Sequence, residues 1–213
     1  MRLAMDEDAW GSVLKTGTTT VGVTCSDGVI LATDRRVTSG YFIANKRGRK
    51  ICKIDDRIAA TIAGVVADAQ MLMDRVSAQA RIYKLVNNRP MSVRAAATLA
   101  SNILFGSRYY PLILQAIVAG VDDEGPRMFN LDLFGTMTEE RYIATGSGSP
   151  MALGVLENGY REGLRVDDAL PLVVRAVSAS MRWDPASGEG FDVAIITEKG
   201  IVERRGEELL GLK

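Results

Sequence analysis

The chain has 213 residues, 47% of them hydrophobic, with 26 Lys plus Arg balancing 26 Asp plus Glu. That length suits one domain, and the neutral balance lacks the basic excess that nucleic-acid or membrane-surface binding usually leaves. There is no histidine, which excludes Ser–His–Asp and Cys–His catalysis together with zinc sites built on imidazole.

The first ten residues carry Asp6, Glu7 and Asp8 and no apolar run, unlike a secretory signal. Residues 18–25 are β-branched at most positions and predict a strand. Ser26-Asp27-Gly28 is a turn signal, and residues 29–33 predict the returning strand of a hairpin. Further strands are expected at 41–44, 50–54 and 58–63. After Gly64 the period lengthens: Val65, Ala69, Leu72, Met73, Val76, Ala80 and Tyr83 fall at helical spacing, and Asn87-Asn88-Arg89-Pro90 ends the helix. A second helix is expected over 92–107, followed by strands at 112–121, 128–133 and 140–144. The stretch 111–121 is the most apolar later in the chain and is too short to span a bilayer. Thr145-Gly-Ser-Gly-Ser149 reads as a loop before a third helix, 151–162. Leu170, Val173, Val174, Val177 and Met181 mark a fourth helix, with Asp167 as its expected cap. A hairpin, 191–197 with 201–205, closes the chain.

Helices come in sequential pairs between runs of strands, which argues against a doubly wound parallel sheet. The expected fold class is α+β, a four-layer α-β-β-α sandwich of two mostly antiparallel sheets flanked by helix pairs. Cys25 and Cys52 are too few for a disulfide framework, so a soluble, cytoplasmic protein is expected.

Without histidine, a hydrolase needs another base: a lysine, a carboxylate, a metal-bound water or a terminal amine. Thr16-Gly17-Thr18 offers the last of these. Seventeen unpatterned residues precede the first strand, and glycine stands at the junction. A cut after Gly17 gives Thr18 a free α-amine beside its own hydroxyl. The reference pKa of that amine, about 7.7–8.0, suits a general base. The other polar blocks have plainer readings on their own. Lys46-Arg-Gly-Arg-Lys50 passes for a solvated loop, Asp34-Arg35-Arg36 for a surface ion-pair cluster, and Asp6-Glu7-Asp8 for a solvated tail.

Taken together, six blocks in order resemble the β-type subunits of the 20S proteasome, the archaeal ones in particular. They are Gly17-Thr-Thr-Thr-Val-Gly22, Asp34-Arg-Arg-Val-Thr38, Lys50, Ile62-Ala-Gly64 with Asp68-Ala-Gln70, Thr145-Gly-Ser-Gly-Ser149, and Asp184-Pro-Ala-Ser-Gly188 with Asp192-Val-Ala194. The resemblance implies an N-terminal-nucleophile hydrolase fold, a leader 1–17 removed autocatalytically, and a threonine endopeptidase domain over 18–213. It implies Thr18 as nucleophile and Lys50 beside its hydroxyl, with Asp34 holding Lys50. Gly64 would supply an oxyanion N–H, and Ser147, Asp184 and Ser187 would surround the terminal amine. Thr38 would pair with the substrate strand. Val37, Cys52, Ile62 and Val66 would line a pocket for a large apolar residue before the cut. Pro185 restricts the loop that carries Ser187. No cofactor or metal is implied. The implied partners are seven-membered β rings stacked with α-subunit rings, an ATPase regulator and unfolded polypeptide substrates, with no nucleic acid or membrane. The alternatives are a non-catalytic ring-scaffold β subunit and an amidohydrolase of the same N-terminal-nucleophile class.

Overall fold

The computed structural model describes residues 17–211; the acidic run at 6–8 and the rest of the expected leader up to residue 16 lie outside the described residues. Two five-stranded antiparallel sheets dominate. The first has the order β10-β1-β2-β11-β12, from β1 (Thr20–Thr24), β2 (Val29–Asp34), β10 (Tyr142–Thr145), β11 (Phe191–Thr197) and β12 (Gly200–Arg205). The second runs β5-β6-β7-β8-β9, from β5 (Ile51–Asp55), β6 (Ile58–Gly64), β7 (Leu114–Asp122), β8 (Gly125–Leu131) and β9 (Met137–Glu139). A small hairpin, β3 (Val37–Ser39) with β4 (Phe42–Asn45), stands apart.

Alternation along the strands produces three cores. On β6, Ile58, Ala60 and Ile62 face helices α1 (Val66–Asn87) and α2 (Val93–Gly106), whose buried stripes include Leu72, Val76, Ala96 and Ala100. On β2, Ile30 and Ala32 face α3 (Ser149–Gly159) and α4 (Val166–Trp183). Val29 and Leu31 point the other way and meet Ile117, Ala119 and Met128 between the sheets. The central strands β2 and β6 therefore bury both faces, and the expected four-layer sandwich is the observed one. Among the described residues, no helix is long and apolar enough to cross a membrane.

Several local expectations need correction. The first strand begins at Thr20 rather than 18, because residues 17–19 are drawn into side-chain bonds instead of a ladder. The expected strand 140–144 is β10, Tyr142–Thr145, and the separate β9 just before it belongs to the other sheet. The third helix runs Ser149–Gly159 rather than 151–162; the Tyr160 N–H closes it onto the Leu156 carbonyl. Asp167 does not cap α4. Arg165 is the cap residue, Asp167 lies within the first turn, and Asp27 Oδ1, from the β1–β2 turn, accepts the Val166 N–H at 2.9 Å. A short terminal helix, α5 (Gly206–Leu209), had no sequence signal.

Candidate active site

Both sheets contribute side chains at one end of the sandwich. Asp34, the last residue of β2, is fully buried. Its Oδ1 accepts from Lys50 Nζ at 2.7 Å and the Thr19 N–H at 2.9 Å. Its Oδ2 accepts from the N–H groups of Arg36 at 2.9 Å and Gly188 at 3.0 Å. Lys50 stands just before β5 on the opposite sheet and is itself buried. It donates a further bond to the Arg36 carbonyl at 2.6 Å. Burial pushes the Lys50 amine below its ordinary pKa, and the Asp34 charge pulls the other way.

A second network closes around Thr18 from the late loops. The Thr18 N–H donates to Ser147 Oγ at 3.2 Å, and that hydroxyl donates to Asp184 Oδ2 at 2.6 Å. Ser187 Oγ donates to the same carboxylate oxygen at 2.6 Å and lies 2.7 Å from Thr19 Oγ1. Pro185 does not displace this loop: the Ser187 N–H bonds the Asp184 carbonyl at 3.1 Å, and Arg36 Nη1 bonds the Pro185 carbonyl at 2.6 Å. Two glycines let the backbone come this close. A Cβ on Gly146 would lie 2.0 Å from the Thr18 carbonyl oxygen, and one on Gly148 would lie 2.0 Å from Thr19 Oγ1.

The junction itself is tightly held. Thr18 Oγ1 donates to the Gly17 carbonyl oxygen at 2.7 Å, and the Gly17 N–H donates to Thr38 Oγ1 at 2.9 Å. A Cβ at Gly17 would lie 1.7 Å from Ala186 Cβ, so no other residue fits there without movement. A cavity of about 310 Å³ opens beside it, lined by Gly17, Thr18, Val37, Thr38, Lys50, Ile62, Gly64 and Val66. Gly64 has φ +131°, and a Cβ there would meet the Ile113 carbonyl oxygen at 2.4 Å. Larger hollows of about 450 and 710 Å³ lie elsewhere and hold none of the sequence-predicted site residues.

Of the pocket residues read from the sequence, Val37, Ile62 and Val66 line this cavity; Cys52 does not, and packs against the core beneath α1 and α2. Lys50 and Thr18 line it together, although the described bonds of Lys50 Nζ go to Asp34 and Arg36. Sequence reasoning missed Thr19, the Arg36 carbonyl, the Thr38 hydroxyl and Ala186. It also missed Arg47 and Arg49 in the lining; Arg49 pairs with Glu203. The run of threonines and the Asp-Arg-Arg triplet were the available signals for Thr19 and Arg36. For Ala186 nothing local could have served.

A family model described as "Proteasome subunit" matches residues 14–196. The chain is 53% identical over 184 residues to "Proteasome subunit beta 2" of Pyrobaculum islandicum, covering 86% of this chain and 92% of that one. It is 51% identical over 185 residues to "Proteasome subunit beta" of Methanohalophilus mahii, with 86% and 88% covered. Against "Proteasome subunit beta" of Methanothermobacter thermautotrophicus it is 50% identical over 183 residues, with 86% and 87% covered.

Proposed function

The chain belongs to the proteasome subunit family, and from that premise we propose that it is a catalytic β subunit, a threonine endopeptidase that frees its own nucleophile. The observation that carries this reading is the contact at the junction: the Thr18 hydroxyl lies 2.7 Å from the carbonyl oxygen of Gly17. In the uncut chain, Thr18 Oγ1 attacks the Gly17 carbonyl carbon, the C–N bond breaks, and the nitrogen leaves as the Thr18 α-amine. Water then hydrolyses the resulting ester and releases residues 1–17.

The same groups then serve peptide cleavage. Thr18 Oγ1 forms an acyl-enzyme, its own amine moves the proton, and Lys50 stabilises the alkoxide by its charge. Asp34 holds Lys50, whose burial makes that charge count for more than it would in water. Ser147 already takes the N–H that becomes the amine, and Asp184 and Ser187 hold Ser147 and Thr19 in place. The Gly64 N–H is assigned to the oxyanion, a contact typically worth about 2.7–4 kcal/mol. Val37, Ile62 and Val66 favour a large apolar residue before the scissile bond.

Sequestration suits a protease of broad specificity, and the assembly assigned here is two seven-membered β rings stacked with α-subunit rings and fed by an ATPase regulator in the cytoplasm. Exposed apolar side chains on the outer layer, among them Ile82, Leu85 and Val86 of α1, support association with other subunits. The test is Thr18→Ala. Its intact mass stays that of the full chain, alone and after mixing with an α-type subunit, and peptide turnover falls on the order of 10³-fold or more. Undiminished turnover sinks the mechanism, and a peptide panel cleaved best after Lys or Asp removes the apolar-pocket reading.

A further inference from the structure

The layer between the sheets changes character towards the active-site end. Away from that end it is closed by Val29, Leu31, Ala119 and Met128. Nearer the site the alternation brings in hydroxyls instead. Val21, Ala32 and Ala144 face the outer helices, so Thr20, Thr33 and Thr145 point between the sheets. Register places them side by side, Thr145 opposite Thr20 and Thr20 opposite Thr33. On the facing sheet Ala60, Ile62, Phe129 and Leu131 face outward to the helices, so Thr61 and Asn130 point inward on either side of Ile117.

Thr20 and Thr145 satisfy each other with an Oγ1–Oγ1 bond of 2.7 Å. Thr33 Oγ1, Thr61 Oγ1 and Asn130 Oδ1 are buried with no hydrogen-bond partner among the described residues, and Thr33 and Thr61 are wholly inaccessible. A buried hydroxyl or amide oxygen left unbonded is destabilising, because it gives up its bonds to water and gains none in return. Three in one layer, contributed by both sheets, form a buried polar cluster whose members lack partners.

We propose that this layer is a binding site for ordered water, bridging Thr33 on β2 to Thr61 on β6, with Asn130 as a further acceptor. A buried water needs two to four polar partners, and the three unbonded oxygens with the Thr20–Thr145 pair supply them. The location gives the water a purpose. Thr33 directly precedes Asp34, and Thr61 is paired with Ile51, the neighbour of Lys50. A bridge between these hydroxyls ties the two sheets together immediately behind the Asp34–Lys50 pair. Thr33 and Thr61 are then positioning residues for the site proposed above. That catalytic consequence rests on the proposed function; the water site itself does not.

Atomic-resolution crystallography of the full chain tests the site directly, with water density expected within hydrogen-bonding distance of both Thr33 Oγ1 and Thr61 Oγ1. Thr33→Val and Thr61→Val keep the shape and remove the hydroxyl. Each is expected to lower Tm by roughly 2–4 °C. The double variant should lose less than the sum, because the two share a partner. Thr33→Ser and Thr61→Ser keep the density. The valine variants should also lower kcat severalfold at unchanged KM, with serine restoring it. A layer without water density overturns the proposal, as do valine variants as stable as the parent or more so, which is how unbonded dry hydroxyls behave. Unchanged kcat in valine variants that have lost the water overturns the positioning role. An active Thr18→Ala protein would refute the peptidase mechanism and leave the water density unaffected.

Discussion

Asp34 accepts four hydrogen bonds, and only one comes from Lys50. Removing Lys50 leaves the carboxylate with three backbone donors. Removing the carboxylate strands a buried ammonium on the Arg36 carbonyl and orphans the Thr19 and Gly188 N–H groups as well, whereas the Arg36 N–H keeps the Gly188 carbonyl at 3.0 Å. Asp34→Ala should therefore cost about 3–5 kcal/mol in urea unfolding, and Lys50→Met clearly less. Equal costs would mean the backbone donors contribute little. The pair also has a pH signature. Burial lowers the Lys50 pKa, so the unfolded chain keeps that proton to higher pH than the folded one. The Lys50 contribution to stability is then lost as pH falls through the lowered folded value and is complete above the free-lysine value of about 10.4. Stability of the parent minus that of Lys50→Met should rise with pH across that window, and a flat difference would contradict the lowered value. At this scale the sequence was informative where a residue type is chemically unusual. A threonine after a glycine, in a chain without histidine, pointed to Thr18. The Thr38 hydroxyl and Ala186 were not legible, because each matters only through contact with Gly17, distant in sequence.

The elements were legible wherever a face is apolar on one period. Helix α4 was legible from Leu170, Val173, Val174, Val177 and Met181, but its stripe is turned slightly: Val173 and Val177 are buried with Val166, Ala169, Leu172 and Ala176, while Leu170, Val174 and Met181 are half-buried at its margin. Its start was misread, since a cap supplied from elsewhere leaves no local trace. Asp167 has the right residue type near the right place, yet the bond to the first turn comes from Asp27, 139 positions earlier. Asp27→Ala should cost about 1 kcal/mol by thermal or urea unfolding, whereas Asp167→Ala should cost only the few tenths expected of a charge in the first turn. The reverse order would restore Asp167 as the cap. Strands β3 and β9 escaped notice for a different reason. At three residues each, they are too short for alternation to register.

For the molecule as a whole, the proposed mechanism makes the spacing between the sheets a catalytic parameter, because Thr18 and Asp34 belong with one sheet and Lys50 and Gly64 with the other. Gly22 helps set that spacing. A Cβ there would lie 2.3 Å from Met128 Sδ and 3.3 Å from Leu31 Cδ2. The methionine can yield to a methyl, so Gly22→Ala should be mild. Gly22→Val adds bulk that both neighbours must absorb, and overpacking of this kind typically costs about 1–3 kcal/mol. Its far-UV circular dichroism should be preserved while self-cleavage slows severalfold. Cleavage at the parental rate would show that the sheets adjust without disturbing the site. The four-layer order itself was foreseeable from the pairing of helices between strand runs. Which inward positions carry hydroxyls was not, because alternation alone does not say which neighbours end up opposite. One feature of the junction also bears on timing. The bond after Gly17 is made well before the groups around it, which include Ser147, Asp184, Ala186 and the Gly188 N–H that completes Asp34. A nascent chain that has not reached Gly188 has not yet made them all, since synthesis runs from the N-terminus. On the proposed mechanism, maturation therefore waits on synthesis of residues 147–188: the peptide bond to be cut is made before the means of cutting it.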